Sequence, residues 1–201
     1  MAPEQTTDEQ LFLAIGEFFV TFSHLISITE HLTAALISKD GGHEAYRRAC
    51  VALSNLTAKP LSNAFFSVLK EFETKAWTNN DHAILTRARS EFNSLIEQRN
   101  RFAHDTWHLG HPNLPRPSPD SWQIIRTIGT PKVGLRMDYK TVTVDFIKNL
   151  TEQTKRIDQN IRLLSLAGIG DDTHRPELHL RITPNGSGGE QVDRIREHEN
   201  D

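Results

Sequence analysis

The chain has 201 residues, 37% of them hydrophobic and 24% charged, with a formal net charge of −3. That size and balance suit one folded domain with some solvated segments, and the slightly negative charge excludes a protein that coats nucleic acid by bulk electrostatics. Cys50 is the only cysteine, no uninterrupted apolar run approaches the roughly 20 residues of a bilayer span, and the polar start Met1-Ala2-Pro3-Glu4-Gln5 lacks a signal-peptide pattern, so a cytoplasmic, reducing setting and no membrane are expected.

The first strong element runs from about Asp8 to Ser38. Leu11, Ile15, Phe18, Phe22, Leu25, Ile26, Thr29, Thr33 and Leu36 fall on one stripe at about 100° per residue, with His24 and His31 on the opposite, solvent side. Asp40-Gly41-Gly42 supplies the stop. A weaker helical stretch covers Glu44 to about Leu56, Lys59-Pro60 breaks it, and Ser62 to Phe72 carries Phe65, Phe66, Val68, Leu69 and Phe72. Asn79-Asn80-Asp81 offers an N-cap for a fourth helix from about His82 to about His104.

The composition then changes. Gly110-His111-Pro112 through Pro119 holds four prolines and suits neither a helix nor a central strand. Trp122–Thr127 and Leu135–Thr143 are strand-like, the second alternating Leu135, Met137 and Tyr139 with Arg136, Asp138 and Lys140, and Gly129–Gly134 reads as the hairpin turn between them. A last long helix, from about Val144 to Leu166, has an apolar face of Phe146, Leu150, Ile157, Ile161 and Leu164, and Gly168 and Gly170 end it. Leu178, Leu180 and Ile182 alternate as a short strand would, but the acidic, glycine-rich stretch 171–201 is expected to be a disordered tail. The expected fold is therefore all-α: an antiparallel bundle of four to five helices over 8–168, with a proline-rich loop and β-hairpin inserted at 111–143.

The fourth helix carries the most suggestive chemistry. Ile84, Ala88, Phe92, Leu95, Phe102 and Ala103 share its apolar stripe, and projection places Arg99 in the middle of it. Arg101 falls on the far side, with solvent. Asn93, Asn100 and His104 line one flank, and Asn100 and His104, four apart, can meet. An arginine on a core stripe is costly unless its head is paired. A purely structural arrangement has the stem snorkel, with Glu97, Asp105 or a carbonyl satisfying the guanidinium and His104 closing the helix C-terminus.

The string Leu95-Ile96-Glu97-Gln98-Arg99-Asn100-Arg101-Phe102-Ala103-His104, ending an amphipathic helix, resembles the signature of the HEPN superfamily. That signature is an arginine, often followed by Asn, Asp or His, and then a histidine a few residues on. The opening helix, with Gly16-Glu17-Phe18-Phe19 and Phe22-Ser23-His24-Leu25, is also similar to that group. The likeness spans about Asp8 to Leu166; the proline loop and hairpin depart from the minimal bundle, and the tail has no counterpart. The resemblance implies a metal-independent endoribonuclease with Arg99, Asn100 and His104 as catalytic residues and RNA as substrate. It also implies a homodimer formed through the helix carrying Arg99 and His104, and a defence or toxin setting with an antitoxin as partner. Some HEPN proteins are instead non-catalytic modules for dimerisation or for binding a nucleotide or partner protein.

Charge along the chain adds a hint of a phosphate site. From Arg99 to Lys140 seven basic residues stand against three acidic ones, whereas from Asp171 onward four basic residues face eight acidic ones. His104, His108 and His111 invite a metal, but no cysteine or HExxH frame accompanies them, so neither metal nor cofactor is expected. Trp107 and Trp122 are expected to pack the hairpin onto the helices rather than stack on bases. Gly41-Gly42 and Gly188-Gly189 lack the strand–loop–helix setting of a phosphate loop, and no nucleophile elbow supports Ser-His-Asp catalysis.

Overall fold

The computed structural model describes residues 7–72, 77–108, 121–130, 134–169, 175–186 and 188–195. Its five α-helices are α1 (Thr7–Ile37), α2 (Gly42–Leu53), α3 (Ala58–Glu71), α4 (Asn79–His104) and α5 (Val144–Ile169). Two small antiparallel sheets accompany them, one of β1 (Thr106–His108), β2 (Ser121–Thr130) and β3 (Gly134–Thr143), the other of β4 (Leu180–Pro184) and β5 (Glu190–Arg194). The chain is thus mostly helical, as the periodicities require. The proline-rich stretch 110–119 and the centre of the hairpin turn lie outside the described residues.

Contacts divide the chain into two compact units, one of residues 1–22 and 95–153, the other of 23–94 and 154–201. In the first, β2 pairs with β3 from Ser121↔Thr143 to Thr130↔Gly134, and β1 adds on the other side through Thr106↔Ile125 and Trp107↔Ile124. The strand β1 is an addition to the expected hairpin; three residues are too few to show a period in the sequence. Trp122, Ile124 and Val142 are buried, as are Leu11, Phe18 and Phe22 of α1. The Trp122 indole also donates to Asp8 Oδ1 at 3.0 Å, tying the sheet to the first turn of α1. Both tryptophans therefore serve packing, and Thr143 caps α5 by accepting from Phe146 N.

Helix α1 keeps its predicted stripe inward but leaves Phe12, Leu13, Val20 and Ile37 exposed. By length and composition alone it is apolar enough to cross a membrane, a property hidden from a search for unbroken apolar runs by Glu17 and scattered polar residues.

In the second unit Ala34, Ala49, Leu53 and Leu61 form one core cluster. Gly42, at φ 66°, turns the chain from α1 into α2 in the left-handed region where glycine is favoured. Gly168 does not end α5 as expected. It is buried within the last turn, where a Cβ would lie 2.5 Å from Leu36 Cδ2 and 3.0 Å from Leu69 Cδ1, so its role is close packing. Helix α4 also begins three residues earlier than expected, with Thr78 before it: Thr78 N donates to Asp81 Oδ2, and Asp81 N donates back to Thr78 Oγ1.

The expected disordered tail is overturned for 175–186 and 188–195. These residues form a 3₁₀ turn (Pro176–Leu178) and the β4–β5 hairpin, with Leu180 and Val192 buried. Polar side chains on the helices hold it. Asp81 Oδ1 accepts from Glu177 N at 2.8 Å, Glu91 Oε1 accepts from Val192 N at 2.8 Å, and Asn160 Nδ2 donates to Val192 O at 2.9 Å. Burial pushes the Glu91 carboxyl above its ordinary value, against the pull of Arg156, the Val192 amide and Arg87. The hairpin has few apolar residues because much of its attachment is hydrogen-bonded, which is why its composition resembles a tail.

Truncation after Gly170 should therefore lower the melting temperature by several degrees. Loss of two buried aliphatic side chains alone removes about 3–6 kcal/mol, and Glu91 and Asn160 lose their hairpin partners. A melt unchanged by the truncation would show the hairpin to be undocked in solution.

Candidate functional site

The C-terminal end of α4 is anchored before any of its polar residues are considered. Phe102 is buried, its ring edge-on to Phe18 at 5.8 Å and to Phe146 at 6.2 Å and tilted against Trp107 at 5.5 Å. The Trp107 indole donates to Phe102 O at 2.9 Å, satisfying one of the carbonyls a helix end leaves open. His104, two residues on, is thus held on a fixed turn while its side chain is exposed.

Arg99 lies on the apolar stripe, as projected, and is partly buried. Among the described residues, neither Glu97, Asp105 nor a backbone carbonyl satisfies its head. The guanidinium instead sits over two rings of α1, 5.5 Å from the Phe19 centroid and 5.7 Å from Phe22. Each such contact contributes about 0.5–2 kcal/mol. NH1 donates to Asn100 Oδ1 at 3.3 Å, while the buried Nε has no acceptor among the described residues. A buried donor left unmade costs about 1–3 kcal/mol, so the rings compensate the arginine only in part.

The exposed Asn100 turns its amide oxygen to Arg99 rather than bridging to His104, the partner expected from their spacing. Ala103, expected in the core, is exposed: the stripe is covered as far as Ile96 and at Phe102 but open at Ala103. His108 lies in β1, and His111 is outside the described residues. No group of three or more His, Cys, Asp or Glu is placed to hold a metal ion among the described residues.

Arg101 differs most from expectation. It is partly buried, donating from Nε to Asp105 Oδ2 at 3.2 Å and from NH2 to Asp138 Oδ2 at 3.0 Å. Asp105, with only 4% of its side chain exposed, also accepts from Arg126 Nε at 3.0 Å. The sheet contacts the side of α4 that helical projection assigns to solvent, and no periodicity within α4 can announce that. Lys140 belongs to the same layer. Its ammonium contacts Gln98 Oε1 and lies 4.5 Å over the Phe146 ring, and burial, then Arg101, lower its pKa against the opposite pull of Asp138. Arg101 and Arg126 of this basic stretch are thus held in structural ion pairs, whereas no ion pair is made by Arg99 among the described residues.

Sequence reasoning missed Phe19 and Phe22 as the partners of Arg99. Their signal is the i, i+3 spacing of two aromatics, Phe22 on the α1 stripe and Phe19 beside it, which by itself reads as ordinary core. Comparison with protein-family models, with curated proteins and with solved structures finds no match for this chain.

Arg101→Ala should destabilise the protein by about 1–3 kcal/mol, because it leaves the buried Asp105 to Arg126 alone. Arg48→Ala, which removes an exposed pair with Glu44, should shift stability by less than about 0.5 kcal/mol. Chemical denaturation of the two variants checks the contrast; equal, negligible effects would place Arg101 in solvent after all.

Proposed function

We propose that the chain is a HEPN-like endoribonuclease that cuts RNA without a metal ion and acts as a homodimer, in a defence or toxin setting with an antitoxin as partner. The observation that carries the reading is Arg99, a cation held on aromatic faces with no neutralising carboxylate among the described residues, five residues before an exposed histidine on an anchored helix end. That spacing is the Arg-Asn-x-x-Ala-His pattern of the resemblance, and its parts suit transesterification.

His104 takes the proton of a ribose 2′-OH as the O2′–P bond forms. The P–O5′ bond breaks, and an imidazolium returns a proton to the departing 5′ oxygen. Arg99 stabilises the charge that builds on the phosphorane oxygens, and Asn100 orients the guanidinium through its amide oxygen. The products are a 2′,3′-cyclic phosphate and a 5′-hydroxyl. Pairing of two copies brings two histidines to one cleft, so that one can accept a proton while the other donates. Exposed Phe12, Leu13 and Val20 on α1 and exposed Ala103 on α4 are apolar surface available to such a pair.

Incubated with mixed RNA in EDTA, the protein should yield fragments ending in cyclic or monoesterified 3′ phosphate. His104→Ala should lower cleavage at least about 100-fold while preserving the helical circular-dichroism signal and dimeric sedimentation. Arg99→Ala should do the same to cleavage, and Arg48→Ala should leave it unchanged. Cleavage persisting in both His104→Ala and Arg99→Ala would assign the activity elsewhere. RNA left intact by the wild-type protein, with dimerisation retained, would identify the non-catalytic module instead.

A further inference from the structure

An arginine in a folded protein is commonly satisfied by a carboxylate, which also cancels its charge. Arg99 is satisfied differently. Among the described residues its neighbours are the Phe19 and Phe22 rings and a neutral amide oxygen, and its buried Nε–H has no acceptor there. Aromatic faces fix a guanidinium without neutralising it, so the full charge stays available to an incoming anion.

The two rings are not equivalent. Phe22 is buried and belongs to the core beside Phe18, with ring centroids 6.2 Å apart. Phe19 is only partly buried, yet its ring is also fixed, edge-on to the fully buried Phe18 at 5.7 Å. Phe18 in turn meets Phe102 at 5.8 Å. A chain of ring contacts therefore leads from the anchored end of α4 through α1 and back to the guanidinium.

We propose that Phe19 is the positioning residue of Arg99: it sets the guanidinium plane and keeps the charge uncompensated for a phosphodiester oxygen. This rests on the RNA-cleavage reading above for its substrate, whereas the cradle itself is tested independently with inorganic phosphate. Phe19 touches no reacting atom and acts only through Arg99.

The test compares Phe19→Leu, which retains apolar bulk but no π face, with Phe19→Tyr, which retains the face. In the wild-type protein the Arg99 Nε–H resonance should be shifted by the rings and should move on titration with inorganic phosphate. Phe19→Leu should abolish the ring shift and weaken the phosphate response, and kcat/KM for RNA should fall about tenfold, the scale of one cation–π contact. Phe19→Tyr should restore all three, a rescue that lost packing alone does not predict. A Phe19→Leu protein with wild-type resonance and phosphate response overturns the proposal, as does a Phe19→Tyr protein as impaired as Phe19→Leu. An Arg99 resonance that ignores phosphate in the wild type overturns it too. Wild-type protein that responds to phosphate but cuts no RNA removes the ribonuclease reading and leaves the cradle standing.

Discussion

Phe102 is the contact on which the first unit depends. One side chain meets α1 through Phe18, the sheet through Trp107 and α5 through Phe146, while its carbonyl receives the Trp107 indole. Aromatic pairs of this kind contribute about 0.5–1.5 kcal/mol each beyond the area they bury. Their geometric effect matters more here. With the ring fixed on three sides, the last turn of α4 is held in place, and with it the backbone positions from which Arg99 and His104 project.

The molecule handles its buried charges in two ways. Asp105 accepts from two arginines, and Glu91 accepts from Arg87, Arg156 and a backbone amide, so each of these two acids is held by a pair of cations. Such acids join elements: Asp105 links α4 to β2 directly and to β3 by way of Arg101, and Glu91 links α4 to α5 and the terminal hairpin. Arg99 is the contrast, a partly buried cation with no acid partner among the described residues. Neutralised ions serve as joints in this chain, and the arginine set on two rings is where the chemistry is proposed.

The helices were legible in the sequence because each buries one stripe at a period near 3.6, and α1, α4 and α5 follow their predicted faces closely. The β2–β3 hairpin was legible from the alternation around Met137 and Tyr139. What one-dimensional periodicity could not carry was the identity of what covers each face. Arg101 was assigned to solvent because nothing within α4 announces a sheet on that side, and Ala103 was assigned to the core because nothing announces that the cover stops short of it. The terminal hairpin was misread for a related reason. Its two inward apolar residues are too few to register, and its anchors, Asp81, Glu91 and Asn160, lie on helices far away in sequence. At the site, the position of Arg99 on the stripe was correct, but the compensation by two phenylalanines required the structure.

Those distant anchors bear on how the protein is made. Asp81 is completely buried in the first turn of α4, yet one of its oxygens is satisfied by the amide of Glu177, 96 residues later, and Glu91 waits for Val192, 101 residues later. During synthesis, α4 emerges with two acids whose native partners are still to be polymerised. Contacts of such sequence separation carry a large loop-closure cost and form late. The second unit therefore completes only after residues 175–195 have left the ribosome, whereas the first unit closes once residue 153 is out. A ribosome stalled between those points would display a nascent chain with the aromatic hub assembled and the acid face of α4 still open to water, the state that chaperones would meet first.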